Sequence, residues 1–205
     1  IDLFFIKFKS GFNYKPAFLI PKQRFFMLKS RILMIVGSLL LLSLFIFPLW
    51  NIELGAPQYP IPLGMDIYIN KIEGANVGDI QNINLMNHYV GMDNIPEHMT
   101  EFDIFPIVIG VMVFLGLLIG LKGSAKLFLL WFVIMGLLGI AGMYDFYLWE
   151  YEYGHNLNPK AAMKFVDEHD NLIAYQPPLF GTANILNFTA SSYPMLGAYL
   201  MFTGM

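Results

Sequence analysis

Ile32-Leu33-Met34-Ile35-Val36-Gly37-Ser38-Leu39-Leu40-Leu41-Leu42-Ser43-Leu44-Phe45-Ile46-Phe47-Pro48-Leu49-Trp50 carries no charged side chain over 19 residues. At 1.5 Å per residue a helix of that length nearly crosses a hydrocarbon core of roughly 30 Å. Trp50 at its end suits the interfacial belt where amphipathic rings collect. The chain as a whole agrees, because it is 57% hydrophobic and only 13% charged. A soluble domain carries roughly 25% charged residues. The reading is therefore an all-α membrane protein with about four spans and two extracytoplasmic loops.

On the N-terminal side, residues 1–31 hold seven bases, ending in Lys29 and Arg31, against the one acid Asp2. Phenylalanines are interleaved with them. Next to a span, this reads as a basic cytoplasmic segment lying on lipid headgroups rather than a nucleic-acid site. An alternative start at Met27-Leu28-Lys29-Ser30-Arg31 would make residues 1–26 an upstream extension. A secretory signal peptide competes for Met27–Trp50, but Pro48-Leu49-Trp50 is a poor small-residue cleavage site. An uncleaved anchor over 32–50 is preferred.

On the C-terminal side, residues 51–103 carry eight acids against the single base Lys71. Bases before the first span and an acidic segment after it place 51–103 outside. Within it, Met65 to Ile72 is rich in β-branched and aromatic residues and suggests a strand. Asp79 suits the start of a short helix through Ile80, Ile83 and His88. The second span is 104–121, and Lys122 and Lys126 flank a cytoplasmic turn. The third is 127–148, where Gly136, Gly139 and Gly142 offer a small-residue face for close packing. Residues 149–184 form the second outside loop. Residues 185–205 form a fourth span, polar for a lipid-exposed helix because of Asn187, Thr189, Ser191, Ser192 and Pro194.

Candidate chemistry centres on Leu85-Met86-Asn87-His88-Tyr89-Val90-Gly91-Met92-Asp93-Asn94-Ile95-Pro96-Glu97-His98-Met99. His88 and Met92 are four residues apart and share a face if Asp79 to Met92 is helical. His98 and Met99 follow a turn at Pro96. Two imidazoles and two thioethers suit copper, above all Cu(I), because the thioether is soft. The competing reading is that the methionines fill apolar gaps in a small core. A possible second, harder site is Asp145, Glu150 and His155, set against a solvated acidic rim at a helix end. His169 in Asp167-Glu168-His169-Asp170 reads as a loop tip. The chain has no cysteine, which excludes disulfides, iron–sulfur clusters and thiolate zinc sites. No nucleophile elbow, phosphate loop, dinucleotide fingerprint or haem-attachment motif is present, so no enzyme activity is expected.

The pattern Asn87-His88-Tyr89-Val90-Gly91-Met92 followed by Pro96-Glu97-His98-Met99 resembles uncharacterised membrane proteins encoded beside nitrous-oxide reductase maturation genes. Tyr175-Gln176-Pro177-Pro178-Leu179-Phe180-Gly181 and Asn184-Ile185-Leu186-Asn187-Phe188 are similar as well. The resemblance covers Met27 onward. It implies copper handling at the outer face of a cytoplasmic (inner) membrane, with a periplasmic copper enzyme or copper chaperone as partner. The expected function is thus a membrane-anchored copper-binding accessory protein. A structural or assembly subunit with no metal is the rival. A transporter fits less well, since the spans hold almost no ionisable residue and no repeat.

Overall fold

The computed structural model describes residues 22–164, 166, 174–185 and 187–205. Most of the basic N-terminal segment and the His169 loop tip lie outside the described residues. The chain runs α1 (Lys22–Leu40), a 3-10 turn (Leu41–Phe45), β1 (Trp50–Gly55), β2 (Leu63–Ile67), β3 (Ile72–Gly74) and α2 (Asp79–Val90). It continues through α3 (Thr100–Lys122), α4 (Ala125–His155), β4 (Gly181–Ile185), β5 (Phe188–Pro194) and α5 (Leu196–Gly204). Three helical stretches are long and apolar enough to cross a membrane: Leu28–Phe45, Thr100–Lys122 and Ala125–His155.

The expectation of an all-α protein is corrected by one antiparallel five-stranded sheet of order β3-β2-β1-β5-β4. One of its strands, β5, comes from a stretch that apolar composition assigned to a span, and β1 begins at the last residue of another. Trp50 closes no helix; it opens β1. The stretch 185–205, expected as a fourth span, holds the end of β4, all of β5 and α5 among its described residues, so its first half is strand and not helix. The stretch Met65–Ile72 is likewise no single strand. It breaks at residues 68–71, where Tyr68 N–H donates to the Lys71 carbonyl, and the chain folds back as the β2–β3 hairpin.

Side chains along the central strands point alternately to two faces, as in a half-buried antiparallel sheet. Trp50, Ile52 and Leu54 pair with Ile67, Met65 and Leu63 on one side of β1 and with Pro194, Ser192 and Ala190 on the other. These share one face, and Ile52, Leu63 and Met65 are buried there with Ile83 of α2 and Ile95. Asn51, Glu53 and Asp66 take the opposite face, where Asn51 donates to Asp66 at 2.8 Å. Met65 is thus a core side chain.

The spans form a second core around Leu41, Leu44, Met112, Val113, Trp131 and Met135. α1 meets α3 through glycine. A Cβ on Gly116 would run into the buried Ser38 side chain, and one on Gly120 into Ile35. Trp131 Nε1 donates to the Met112 carbonyl at 3.0 Å, which sets the level at which α4 lies against α3. By contrast, Cβ atoms on Gly136, Gly139 and Gly142 would meet nothing. The expected glycine face therefore packs against no described part of this chain.

α4 has 31 residues and is about 46 Å long, much longer than the 127–148 span. Asp145 lies within electrostatic reach of Glu101 in the first turn of α3. The rest of α4, about 15 Å, overhangs α3 and runs up against the sheet. Phe146, Trp149 and Tyr153 pack on the sheet core, so this overhang lies outside the apolar layer.

Candidate functional site

α2 ends at Val90 because Gly91 takes a left-handed conformation (φ 85°), with Gly91 N–H and Met92 N–H both donating to the Asn87 carbonyl. Only glycine fits here. The conformation disfavours a side chain, and a Cβ would sit 2.9 Å from the Asn158 carbonyl oxygen and 2.8 Å from Ala161 Cβ. The helix thus stops short of Met92, and the expected i, i+4 relation of His88 to Met92 is replaced by a turn. Asn158 N–H donates to the Gly91 carbonyl and Met163 N–H to the Tyr89 carbonyl. The segment after α4 is thereby fastened alongside the end of α2.

The two walls enclose a cleft of about 380 Å³ lined by His88, Met92, Asp93, Asn94, Asn158 and Lys160 among others. It brings His88 and Met92 together, with His88 exposed. His98 and Met99 are not part of it. His98 is 71% exposed and its Nε2 lies 3.2 Å from Asp103 Oδ2. Met99 sits in extended conformation immediately before α3. Among the described residues, no three His, Asp or Glu side chains lie close enough to hold a metal ion. A mixed site of one imidazole and one thioether is what the cleft itself offers.

Asp145, Glu150 and His155 stand on one continuous helix at steps of five. Five residues turn an α-helix through about 140°, so the three occupy different faces and do not converge. Their surroundings differ accordingly. His155 is exposed, stacked on Tyr151 at 4.0 Å between ring centroids, with Nδ1 2.8 Å from the Tyr151 carbonyl oxygen. Glu150 is fully buried, and neither carboxylate oxygen has a hydrogen-bond partner. It lies one turn before Gly154, whose missing side chain leaves room for the Gln176 backbone, and Tyr175 N–H donates to the Gly154 carbonyl. Burial alone pushes the Glu150 carboxyl up to about 7.

A polar clamp that no local motif announces joins α4 to the cleft wall. Asn87 Nδ2 donates to Tyr153 OH at 2.6 Å, and that hydroxyl donates to the Asp93 carbonyl at 2.7 Å. Burial first, and the Asp93 charge second, raise the Tyr153 hydroxyl above its ordinary range. The donors and acceptors here are sixty or more residues apart in the chain, so only the fold reveals them. Asp79 is similar. In place of an ordinary cap, its Oδ2 accepts from Asn76 N–H at 2.9 Å and from Gly64 N–H at 3.0 Å, tying α2 to β2.

Compared with protein-family models, with curated proteins and with solved structures, the chain matches none.

Proposed function

We propose that this is a membrane-anchored copper-binding accessory protein, with the sheet and α2 on the outer face of a cytoplasmic membrane. The observation that carries this reading is that His88 and Met92 line one cleft while His88 remains open to solvent. Imidazole and thioether are ligands that favour Cu(I) over Zn(II), because thioether sulfur is soft. A two-ligand, open arrangement leaves room for an incoming ligand from a partner, which suits transfer better than storage. Lys160 in the same cleft is a cation and works against metal binding, so occupancy displaces it outward. His98 and Met99 stand beyond the cleft as ligands that a docked partner or a movement of the 91–99 segment would recruit. The resemblance to proteins encoded beside nitrous-oxide reductase maturation genes points to a periplasmic copper enzyme or its chaperone as recipient.

The test is competition of the full chain against a Cu(I) chelator. Met92→Leu nearly preserves volume and apolar character, so it should keep the fold and lower Cu(I) affinity at least tenfold. His88→Ala should weaken Cu(I) and Cu(II) alike. Metal should also be released on acidification, because only neutral imidazole is a ligand. Equal affinity in wild type and both variants rejects this site.

A second reading is favoured by one observation. Only 11% of the α4 span is buried inside the chain, compared with 28% of the α3 span, and Gly136, Gly139 and Gly142 face no described part of it. A structural or assembly subunit of a larger membrane complex accounts for that without any metal.

A further inference from the structure

Ile69 lies in the acidic segment 51–103, at the turn of the β2–β3 hairpin, yet it is only 2% exposed. It belongs to the core of the spans, with Leu41 and Leu44 after α1 and Ile109 of α3, and not to the core of the sheet. Trp50 pairs with Ile67, and Leu49 N–H donates to the Ile67 carbonyl at 2.8 Å. The hairpin therefore points its tip at the bilayer, level with the end of the first span. That is the depth at which hydrocarbon gives way to headgroups.

Ile67 and Ile72 pair and pack on the sheet core. By alternation Asp66 and Glu73, which also pair, take the other face. Lys71 Nζ lies 2.6 Å from Glu73 Oε1 and 5.0 Å from the centroid of the Tyr68 ring, so Tyr68 and Lys71 stand on that face too. Lys71 and Glu73 are exposed, and Asp66 and Tyr68 are half-buried. Lys71 is the single base of residues 51–103, and the fold sets it at the tip nearest the bilayer. Asp66 and Glu73 lie two residues, about 7 Å, further out along their strands. Two carboxylates directly opposite each other repel. Lys71 offsets one of them and leaves an uncompensated negative charge. An exposed ion pair is worth little by itself, so Lys71 can share its ammonium with a second anion.

We infer that the β2–β3 tip binds the headgroup of a zwitterionic phospholipid with a primary ammonium, phosphatidylethanolamine, in the leaflet on the sheet side. Charge order carries the assignment. In such a headgroup the phosphate is joined to the glycerol and the ammonium is carried beyond it. The tip presents the complement in the same order, with its cation low and its carboxylates high. Lys71 Nζ donates to the phosphate oxygens, and the lipid ammonium donates to Asp66 and Glu73. Tyr68 lies beside them at the depth where amphipathic rings collect. A choline headgroup has no N–H to donate to the carboxylates. A glycerol headgroup brings no cation at all and sets its negative charge beside theirs.

The site depends on the spans and not on copper, so it is tested without metal. The full chain is placed in nanodiscs of equal parts phosphatidylethanolamine, phosphatidylcholine and phosphatidylglycerol, then released and weighed by native mass spectrometry. Retained phosphatidylethanolamine should exceed each rival roughly fivefold, which is about 1 kcal/mol. Lys71→Gln removes the phosphate partner and should lower retention of phosphatidylethanolamine by a similar factor. Asp66→Asn together with Glu73→Gln removes the charges that meet the ammonium and should make phosphatidylethanolamine and phosphatidylcholine equal. Glu73→Lys adds a second cation and should shift the preference to phosphatidylglycerol; a reversal is a gain that loss of fold cannot produce. Equal retention of the three lipids by the wild type overturns the inference, and so does a wild-type preference for phosphatidylglycerol. A preference for phosphatidylethanolamine that survives both Lys71→Gln and the double variant overturns it equally, since the lipid would then sit elsewhere on the chain.

Discussion

Glu150 is a carboxylic acid whose burial leaves both oxygens without partners. Ionising it there costs what solvent would otherwise supply, and the proton is retained up to about pH 7. The unfolded carboxyl loses its proton near its ordinary value of 4.5. Below that value both states are protonated and the group is neutral to stability. As pH rises from 4.5 to about 7 the unfolded state releases its proton first, so stability falls; above about 7 both are ionised and the penalty is constant, on the order of 3 kcal/mol. Glu150→Gln should remove this dependence and raise the thermal midpoint above pH 7, with little change at pH 4.5. A wild-type midpoint flat across that range would place the carboxyl in water. The sequence marked Glu150 as chemically interesting beside Asp145 and His155, but helical phase separates the three. The contact of Tyr175 and Gln176 with Gly154, one turn beyond the carboxyl, is likewise foretold by no local pattern.

The helices illustrate how composition identifies elements better than contacts. α3 and α4 are legible because no charged side chain interrupts residues 104–121 or 127–144 and Gly123, at φ 73°, ends the first. Which glycines pack was not legible, since spacing shows where backbones can approach and not which face has a neighbour. Gly116 and Gly120 lie against α1, and Arg31 of α1 bonds to the Gly120 and Leu121 carbonyls at the end of α3. Gly116→Val should therefore force α1 and α3 apart and cost several degrees of thermal midpoint, by removing close van der Waals contact. Gly139→Val should leave the isolated chain unchanged, and a matching loss would mean that another helix covers it. β1 and β5 were hidden for a different reason. Each is short and adjoins apolar sequence, and each takes one of its two partners from the far side of both central spans.

At the scale of the molecule, the sheet and α2 occupy one end of the helices, and the Lys122–Lys126 turn occupies the other. The distribution of bases predicts that the turn is cytoplasmic. Val77, fully exposed in the turn before α2, is the place to ask. With no native cysteine, Val77→Cys should react with an impermeant maleimide on intact cells, and Ser124→Cys only after lysis. The reverse pattern would invert the orientation and remove the outer-face copper reading with it. The β1–β5 ladder also imposes a schedule on biosynthesis. Trp50 Nε1 is bonded to Ser192 Oγ, 142 residues later. At roughly 5–20 residues per second, β1 emerges on the order of ten seconds before its central neighbour exists. During that interval the β1–β2–β3 half-sheet carries a temporary raw edge along β1. The nascent chain is then a client for holdase chaperones, and a ribosome stalled between residues 75 and 187 would leave a membrane-tethered half-sheet open to misassembly and proteolysis.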